Sequence, residues 1–573
     1  MVSVLFNWLY IAVTAFLAGV ALCAFIRRTV GYRVTDVSCI VAAGMMAVTV
    51  YAQVFSLFGR VGAAANLVLA AACLVVAVAG RRQIAGLLSG AWGNKSTAWK
   101  LVMALSVAAW CFCTSRGYMH YDSDLYHAQA IRWIEEYRAV KGLGNIHVRF
   151  AYNSSFFALS ALYSMKFLTG RSLHAVNGFM ALLLWIQVLR LFDAQGRTGR
   201  TVVTGFARLG AFYYLTVIYS DIVSPASDYA IMCVVFFIVI RWLELLEQEE
   251  ESAAPYALLC VAGVYAVTLK LTAGLILILL AKPAYMLLRE KRQKDIGIYL
   301  VMGLVTIVPW LVRTVILSGY LLYPFPSLDL FDMDWKIPAA EAALDAAEIR
   351  MWGRGINNAA LVDLPVWEWF PGWFRESLPV VGKALVAADI VCLPVFIALL
   401  AVQFRRGDMS AAGRMRKGQL LALATVLASY GFWQLSAPLL RYGYAYVLLV
   451  VMITSGILCD NLIKYFDKRQ KKDMIKKAAV LGVCALWVFS AVKLASLARH
   501  IHDKSAEKAY VWQQDYGNYT LESYEVEGVP FYYPVYGDRT GYDHFPSVPR
   551  QVPVLFRGQS VEEGFYPKKQ EME

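Results

Sequence analysis

"MVSVLFNWLYIAVTAFLAGVALCAFIRR", residues 1–28, carries no charged side chain before Arg27. At ~1.5 Å per residue, that uncharged run is long enough as a helix to cross a hydrocarbon core of ~30 Å. No Lys or Arg precedes it, and no small-residue cleavage site follows at the usual distance, so it reads as a first transmembrane helix and not as a signal peptide. The rest of the chain repeats the pattern. Of 573 residues, 59% are apolar and 17% charged, and the mean hydropathy is +0.52. Such a composition excludes a soluble globular protein, and long unbroken runs exclude the short alternating segments of a β-barrel. The ten cysteines fall in or beside apolar segments and read as small buried hydrophobes, with neither a disulfide framework nor a zinc site.

The expected fold is an all-α polytopic membrane protein with about fourteen spans. They lie at 4–26, 37–58, 61–80, 98–115, 173–193, 201–219, 229–246, 255–269, 272–288, 295–315, 380–403, 418–435, 442–460 and 477–496. Loop charge sets the orientation. With the N-terminus outside, the loops on the inner side, among them 194–200, hold about 24 Lys and Arg, whereas the short outer loops hold only Arg60, Lys270 and Arg441. The net charge of +13 is therefore a topology signal and gives no reason to expect nucleic acid. Both termini are placed outside. Residues 153–169 are apolar enough to span, but a span there would put the arginines of 190–208 outside; an interfacial or re-entrant helix buried against protein is expected instead. The tail, 497–573, is rich in Tyr, Gly and Pro with short alternating runs and reads as a small β-rich or irregular module. Neither a fixed-period repeat nor a matched pair of broken helices is present, which counts against an inverted-repeat transporter.

Polar residues stand out against this background. "HYDSDLYH", residues 120–127, places Asp122 and Asp124 between His120 and His127 at the outer end of a span. Ser123 or Asp124 would cap a helix starting at Leu125, whose Tyr126, Ala130, Trp133 and Tyr137 form an apolar stripe. Capping accounts for one aspartate; the other is a candidate general base, ionised at a wet interface, with Asp122 preferred. The next outer loop, "YSDIVSPASDYA", residues 219–230, holds Asp221 and Asp228, either as turn caps or as acids of the same site. Lys270, Arg313 and Arg441 sit at outer helix ends, with Arg149 and His147 in the preceding loop. Each cation is either a snorkelling anchor or a ligand for phosphate, with Arg441 and Lys270 the preferred pair.

An apolar helix, an outer loop opening with an Asp-x-Asp motif, interfacial helices and many further spans resemble the GT-C superfamily of integral-membrane glycosyltransferases, and "DSDLYH…GLGNIHVRFAYNSS", within residues 122–155, resembles bacterial envelope proteins related to it. In this chain the motif follows the fourth span and not the first, so residues 1–97 would be additional helices. The resemblance then gives a catalytic core at 98–460, with outer loops 116–172 and 316–379, followed by a last span with its cytoplasmic loop at 461–496 and the tail. It implies an inverting enzyme of the bacterial cytoplasmic membrane, with its site on the extracytoplasmic face. A polyprenyl-phosphate-linked sugar would be the donor and a glycan or glycolipid hydroxyl the acceptor. Asp122, Asp124 and Asp228 would be catalytic; Arg441, Lys270, Arg313 and Arg149 would hold the phosphate; Asp221, His127 and His147 would be accessory. A divalent cation, Mg²⁺ or Mn²⁺, is left open by the histidine spacing. The alternatives are a polysaccharide polymerase or ligase using a polyprenyl-pyrophosphate donor, and a flippase or transporter.

Overall fold

In the computed structural model the described residues are 1–93, 95–192, 202–358, 361–407, 410–469, 472–505 and 510–567. The expected inner loop 194–200 lies outside them. Among these residues nine helices are long and apolar enough to cross a membrane, from Val2–Thr29 to Val480–Ser505. A tenth candidate is the pair Ala63–Ala79 and Arg81–Ala91, which bends by 84°. Three further apolar helices, Val176–Leu189, Val202–Ile218 and Ala253–Leu269, are shorter than that test requires. Outward-facing side chains support the membrane reading: Leu481, Trp487 and Val488 on the last helix are each about two-thirds exposed, an arrangement stable only against lipid. The chain has the build of an integral membrane protein.

Local chemistry sets the first two helices. Val2–Thr29 ends on Arg27 and Arg28, cations favoured at a helix C-terminus. Val37–Phe58 begins at Asp36, whose carboxylate accepts from the Ser38 N–H at 3.0 Å. The two helices cross on glycines: a Cβ on Gly44 would lie 1.6 Å from the Ala15 carbonyl oxygen, and one on Gly19 1.9 Å from that of Ile40. Behind them stands Ser227–Glu247, the most deeply buried of the candidate spans. It packs against Val176–Leu189, Val202–Ile218, Ala253–Leu269 and Leu440–Lys468.

Residues 153–169 form the helix Ser155–Tyr163, buried at every position, and a short turn at Lys166–Thr169. Exclusion from lipid by surrounding protein lets nine residues stand where a span would need about twenty. The tail carries two small sheets. Leu521–Val526 pairs antiparallel with Val529–Pro534, and Leu555–Phe556 with Phe565–Tyr566. It packs on the 121–145 region, with Phe545 and Phe565 against Trp133.

Candidate functional site

Backbone pairing brings the two acidic loops together. After the helix Thr97–Ser115, the Tyr118 N–H donates to the Ser220 carbonyl at 2.8 Å, and the His120 N–H to the Ser224 hydroxyl at 2.7 Å. Gly117 permits the approach, since a Cβ there would lie 2.3 Å from the Ser220 oxygen. Buried Asn177 fixes the other side of the turn, donating to the Ser224 and Ala226 carbonyls. Asp122 thus arrives beside Asp228, which lies in the first turn of Ser227–Glu247, where a carboxylate suits the helix dipole.

Arg441 joins them. Its Nη2 donates to Asp122 Oδ2 at 2.7 Å and to the Tyr442 hydroxyl at 2.9 Å, and its Nε lies 3.5 Å from Asp228 Oδ2. It occupies the first turn of Leu440–Lys468, where the dipole disfavours a cation. The two carboxylates offset that cost. Lys270, at the break between Ala253–Leu269 and the 3-10 segment Leu271–Leu280, bonds Asp228 Oδ1 and lies 3.4 Å from the Tyr442 ring centroid. Arg149 approaches Asp122 Oδ1 at 3.6 Å and stacks over Tyr126. These five charges are shielded but not sealed: their side chains are 11–25% exposed.

The protonation states follow. His120 Nδ1 receives both the Asp122 N–H, at 3.1 Å, and Arg441 Nη1, at 3.2 Å. It is therefore an acceptor, the ring is neutral, and its 3.6 Å approach to Asp122 is no ion pair. Burial, aided by Arg441, lowers its pKa in agreement. His127 is buried among Tyr126 and Phe157 with no partner for Nδ1; burial lowers it to about 3 and keeps it neutral. Burial acts to raise the Asp122 carboxyl, but His127, Arg441, His120 and Arg149 around it together outweigh burial and hold the group below its ordinary value. With both histidines neutral, three cations face two carboxylates, an excess of positive charge in a partly exposed cluster.

Other expected residues go elsewhere. Asp124 does not cap the helix. Its carboxylate accepts from the Gly517 N–H and the Tyr519 hydroxyl, each at 2.9 Å, and its carbonyl accepts from the Thr540 and Gly541 N–H groups. It is a buried anchor for the tail. The chain runs without a side-chain cap from Asp122 through a π-helical turn, Ser123–His127, into Ala128–Glu136. Arg313 is also apart: it is buried, donating to Asn153 Oδ1 at 3.0 Å and Ser56 Oγ at 2.7 Å. Asp221 accepts from the Ser220 hydroxyl at 3.3 Å and makes none of the cluster's contacts; burial raises its carboxyl. His147 packs edge-on against Tyr126 and Phe150.

One acid was not legible in the sequence. Asp345, on Ala339–Arg354 of the second long loop, is buried and accepts from the Tyr152 hydroxyl at 2.9 Å, three residues from Arg149. Burial raises its carboxyl to about 6. Tyr126 and Tyr442, the aromatic faces beneath Arg149 and Lys270, were missed as well. Among the described residues, no group of three or more His, Cys, Asp or Glu side chains is arranged to hold a metal. Asp122 and Asp228 are both engaged by cations.

Fold and cluster together define a polytopic membrane protein with a cluster of charges at the ends of several helices. The chain belongs to a family described as a domain of unknown function, DUF8201, which matches residues 1–448 and so includes every charge of the cluster. Neither a curated protein nor a solved structure matches the chain.

Proposed function

We propose that the Asp122–Asp228–Arg441–Lys270 cluster holds the phosphate of a lipid-linked sugar and transfers that sugar to a hydroxyl of an envelope glycan or glycolipid. The proposal takes the cluster to be on the outer face of a bacterial cytoplasmic membrane, in a chain of GT-C type with about fourteen spans and both termini outside. The observation that carries it is the meeting of two carboxylates and three cations, from five separate segments, in a cluster that is neither sealed nor fully wet. Positive excess at a lipid-facing bundle end suits an anionic, membrane-borne donor.

The acceptor oxygen attacks the anomeric carbon, the bond from that carbon to the phosphate oxygen breaks, and the lipid phosphate leaves against Arg441, Lys270 and Arg149. Asp122 takes the acceptor proton. In the free protein its depressed pKa makes it a weak base; a phosphate drawing Arg441 and Arg149 away raises its basicity as the donor binds. Asp228 positions Lys270 and Arg441. No step requires a metal.

A polymerase or ligase using a pyrophosphate donor is the second reading. It is favoured by the third cation, Arg149, and by the link from Arg149 through Tyr152 to Asp345 of the large 316–379 loop. A flippase reading has less support, because the cluster sits at helix ends and not deep within a span. The test is sugar transfer from a polyprenyl-phosphate sugar by purified protein. Asp122→Asn is expected to lose about 10³-fold in rate, within the range for a general base. Full transfer by both Asp122→Asn and Asp228→Asn would falsify the mechanism.

A further inference from the structure

At the far end of the Ser227–Glu247 helix from Asp228 lies a second charged assembly, about 20 Å away at ~1.5 Å per residue. Arg241 reaches Asp36 Oδ2 at 3.2 Å and also bonds Glu244; Arg190 Nη2 reaches Asp36 Oδ2 at 2.6 Å; Arg208 Nη2 reaches Glu244 Oε1 at 2.8 Å. Beside it, under the turn 31–36, a cavity of about 200 Å³ runs into the bundle. Met45, Met46, Met180, Met302, Phe237 and Leu258 are among its walls, and Tyr32, Arg33, Thr35, Asp36 and Arg241 stand at the polar end. The volume equals that of about seven waters at ~30 Å³ each, yet the walls offer water few partners. An apolar space of this kind takes an apolar guest, and four methionines let its walls adapt to one.

The polar end selects the rest of the guest. Arg33 is exposed on the turn, and Arg27 and Arg28 are exposed at the end of the preceding helix. The described acids nearby are Asp36 and Glu244, both paired to arginines, Asp295 and Glu290, both paired to Arg292 beside Val30, and Glu250 beside Tyr32. Cations exceed carboxylates, and unengaged Arg33 lines the mouth. The occupant must therefore join an apolar chain to an anionic head, and it must come from the bilayer.

We infer that the cavity beneath the 31–36 turn takes part of one acyl chain, about seven methylenes at roughly one water volume each, of an anionic phospholipid, with the phosphate held at the mouth by Arg33 and its neighbours. The chain fills the gap between the first two helices and Ser227–Glu247, bracing the helix that carries Asp228 at its other end. This inference is independent of the proposed transfer reaction.

The experiment reconstitutes delipidated full-length protein with phosphatidylglycerol or phosphatidylcholine of identical chains. Retained lipid is counted by native mass spectrometry and the thermal midpoint is measured. Wild type is expected to retain phosphatidylglycerol about fivefold more than phosphatidylcholine, the worth of one arginine at an anionic headgroup, with a higher midpoint. Arg33→Glu, an exposed change that should not disturb folding, is expected to abolish the preference. Ala262→Phe, which places a ring in the cavity wall, is expected to exclude both lipids. Equal retention of the two lipids by wild type overturns the inference, as does a preference that survives Arg33→Glu. Retention that persists in a folded Ala262→Phe protein places the chain elsewhere and overturns it too.

Discussion

One helix, Ser227–Glu247, carries an ion network at each end, and the two are built differently. At the Arg241 end, the guanidinium of Arg208 and the carboxylate of Glu244 are 3% and 9% exposed and pair at 2.8 Å, while Arg190 and Asp36 at its rim are 27% and 21% exposed. Arg190 and Arg241 share Asp36, itself the N-cap of Val37–Phe58, so the network locks helix ends in place. At the Asp228 end the cations are about a quarter exposed, and two of the contacts to Asp122 stretch to 3.6 Å. Arg441 also sits where its own helix dipole opposes it. The closed network has the geometry of a brace. The open one has charge left over for a ligand.

That contrast can be broken by experiment. Arg241→Ala removes one partner from the closed network and leaves Asp36 and Glu244 undercompensated. It is expected to cost about 3–5 kcal/mol of stability in denaturant unfolding, with the remaining folded protein still transferring sugar. Arg441→Gln should do the reverse, costing about 1 kcal/mol because its pairs are partly solvated while transfer collapses. Equal stability losses at the two ends would erase the distinction.

Asp345 sharpens the comparison through pH. Its folded pKa, about 6, lies above the unfolded value. The fold therefore favours the protonated form, so this contribution is full below the unfolded value of ~3.9 and is lost as pH rises through about 6. Asp345→Asn should remove that pH dependence, making the protein about 2–3 kcal/mol more stable at pH 8 relative to wild type. The measurement is unfolding of both proteins at pH 4.5 and pH 8, and a stability gain from Asp345→Asn that does not grow between the two pH values contradicts the assignment. A smaller effect is expected from Asp124→Asn, which weakens the charge-assisted bonds to Gly517 and Tyr519 by about 1.5 kcal/mol in total. Limited proteolysis should then cut the tail faster than wild type while the helices stay protected.

The apolar spans were legible because lipid demands continuous hydrophobic length, and the meeting of Asp122, Asp228, Lys270 and Arg441 was legible because loop charge sorts such residues to one face. What failed was what depends on long-range packing. Asp124 reads locally as a helix cap, yet its partners lie nearly four hundred residues away in the tail. Arg313 occupies a helix end like Arg441, but its side chain turns to Asn153 and Ser56, which periodicity does not reveal. Asp345 lies in a loop with no apolar rhythm to place it, and only the Tyr152 contact brings it near the cluster. Val176–Leu189 and Ala253–Leu269, read as full spans, are helices of 14 and 17 residues, short because protein and not lipid surrounds them.

The most direct test is equilibrium binding of a polyprenyl monophosphate to the purified protein. If the open cluster is the phosphate site, Arg441→Gln should weaken binding about 30-fold or more, the cost of removing one member of a shielded charge pair, while Arg241→Ala leaves the affinity of the folded protein unchanged. Identical dissociation constants for wild type and Arg441→Gln would contradict it.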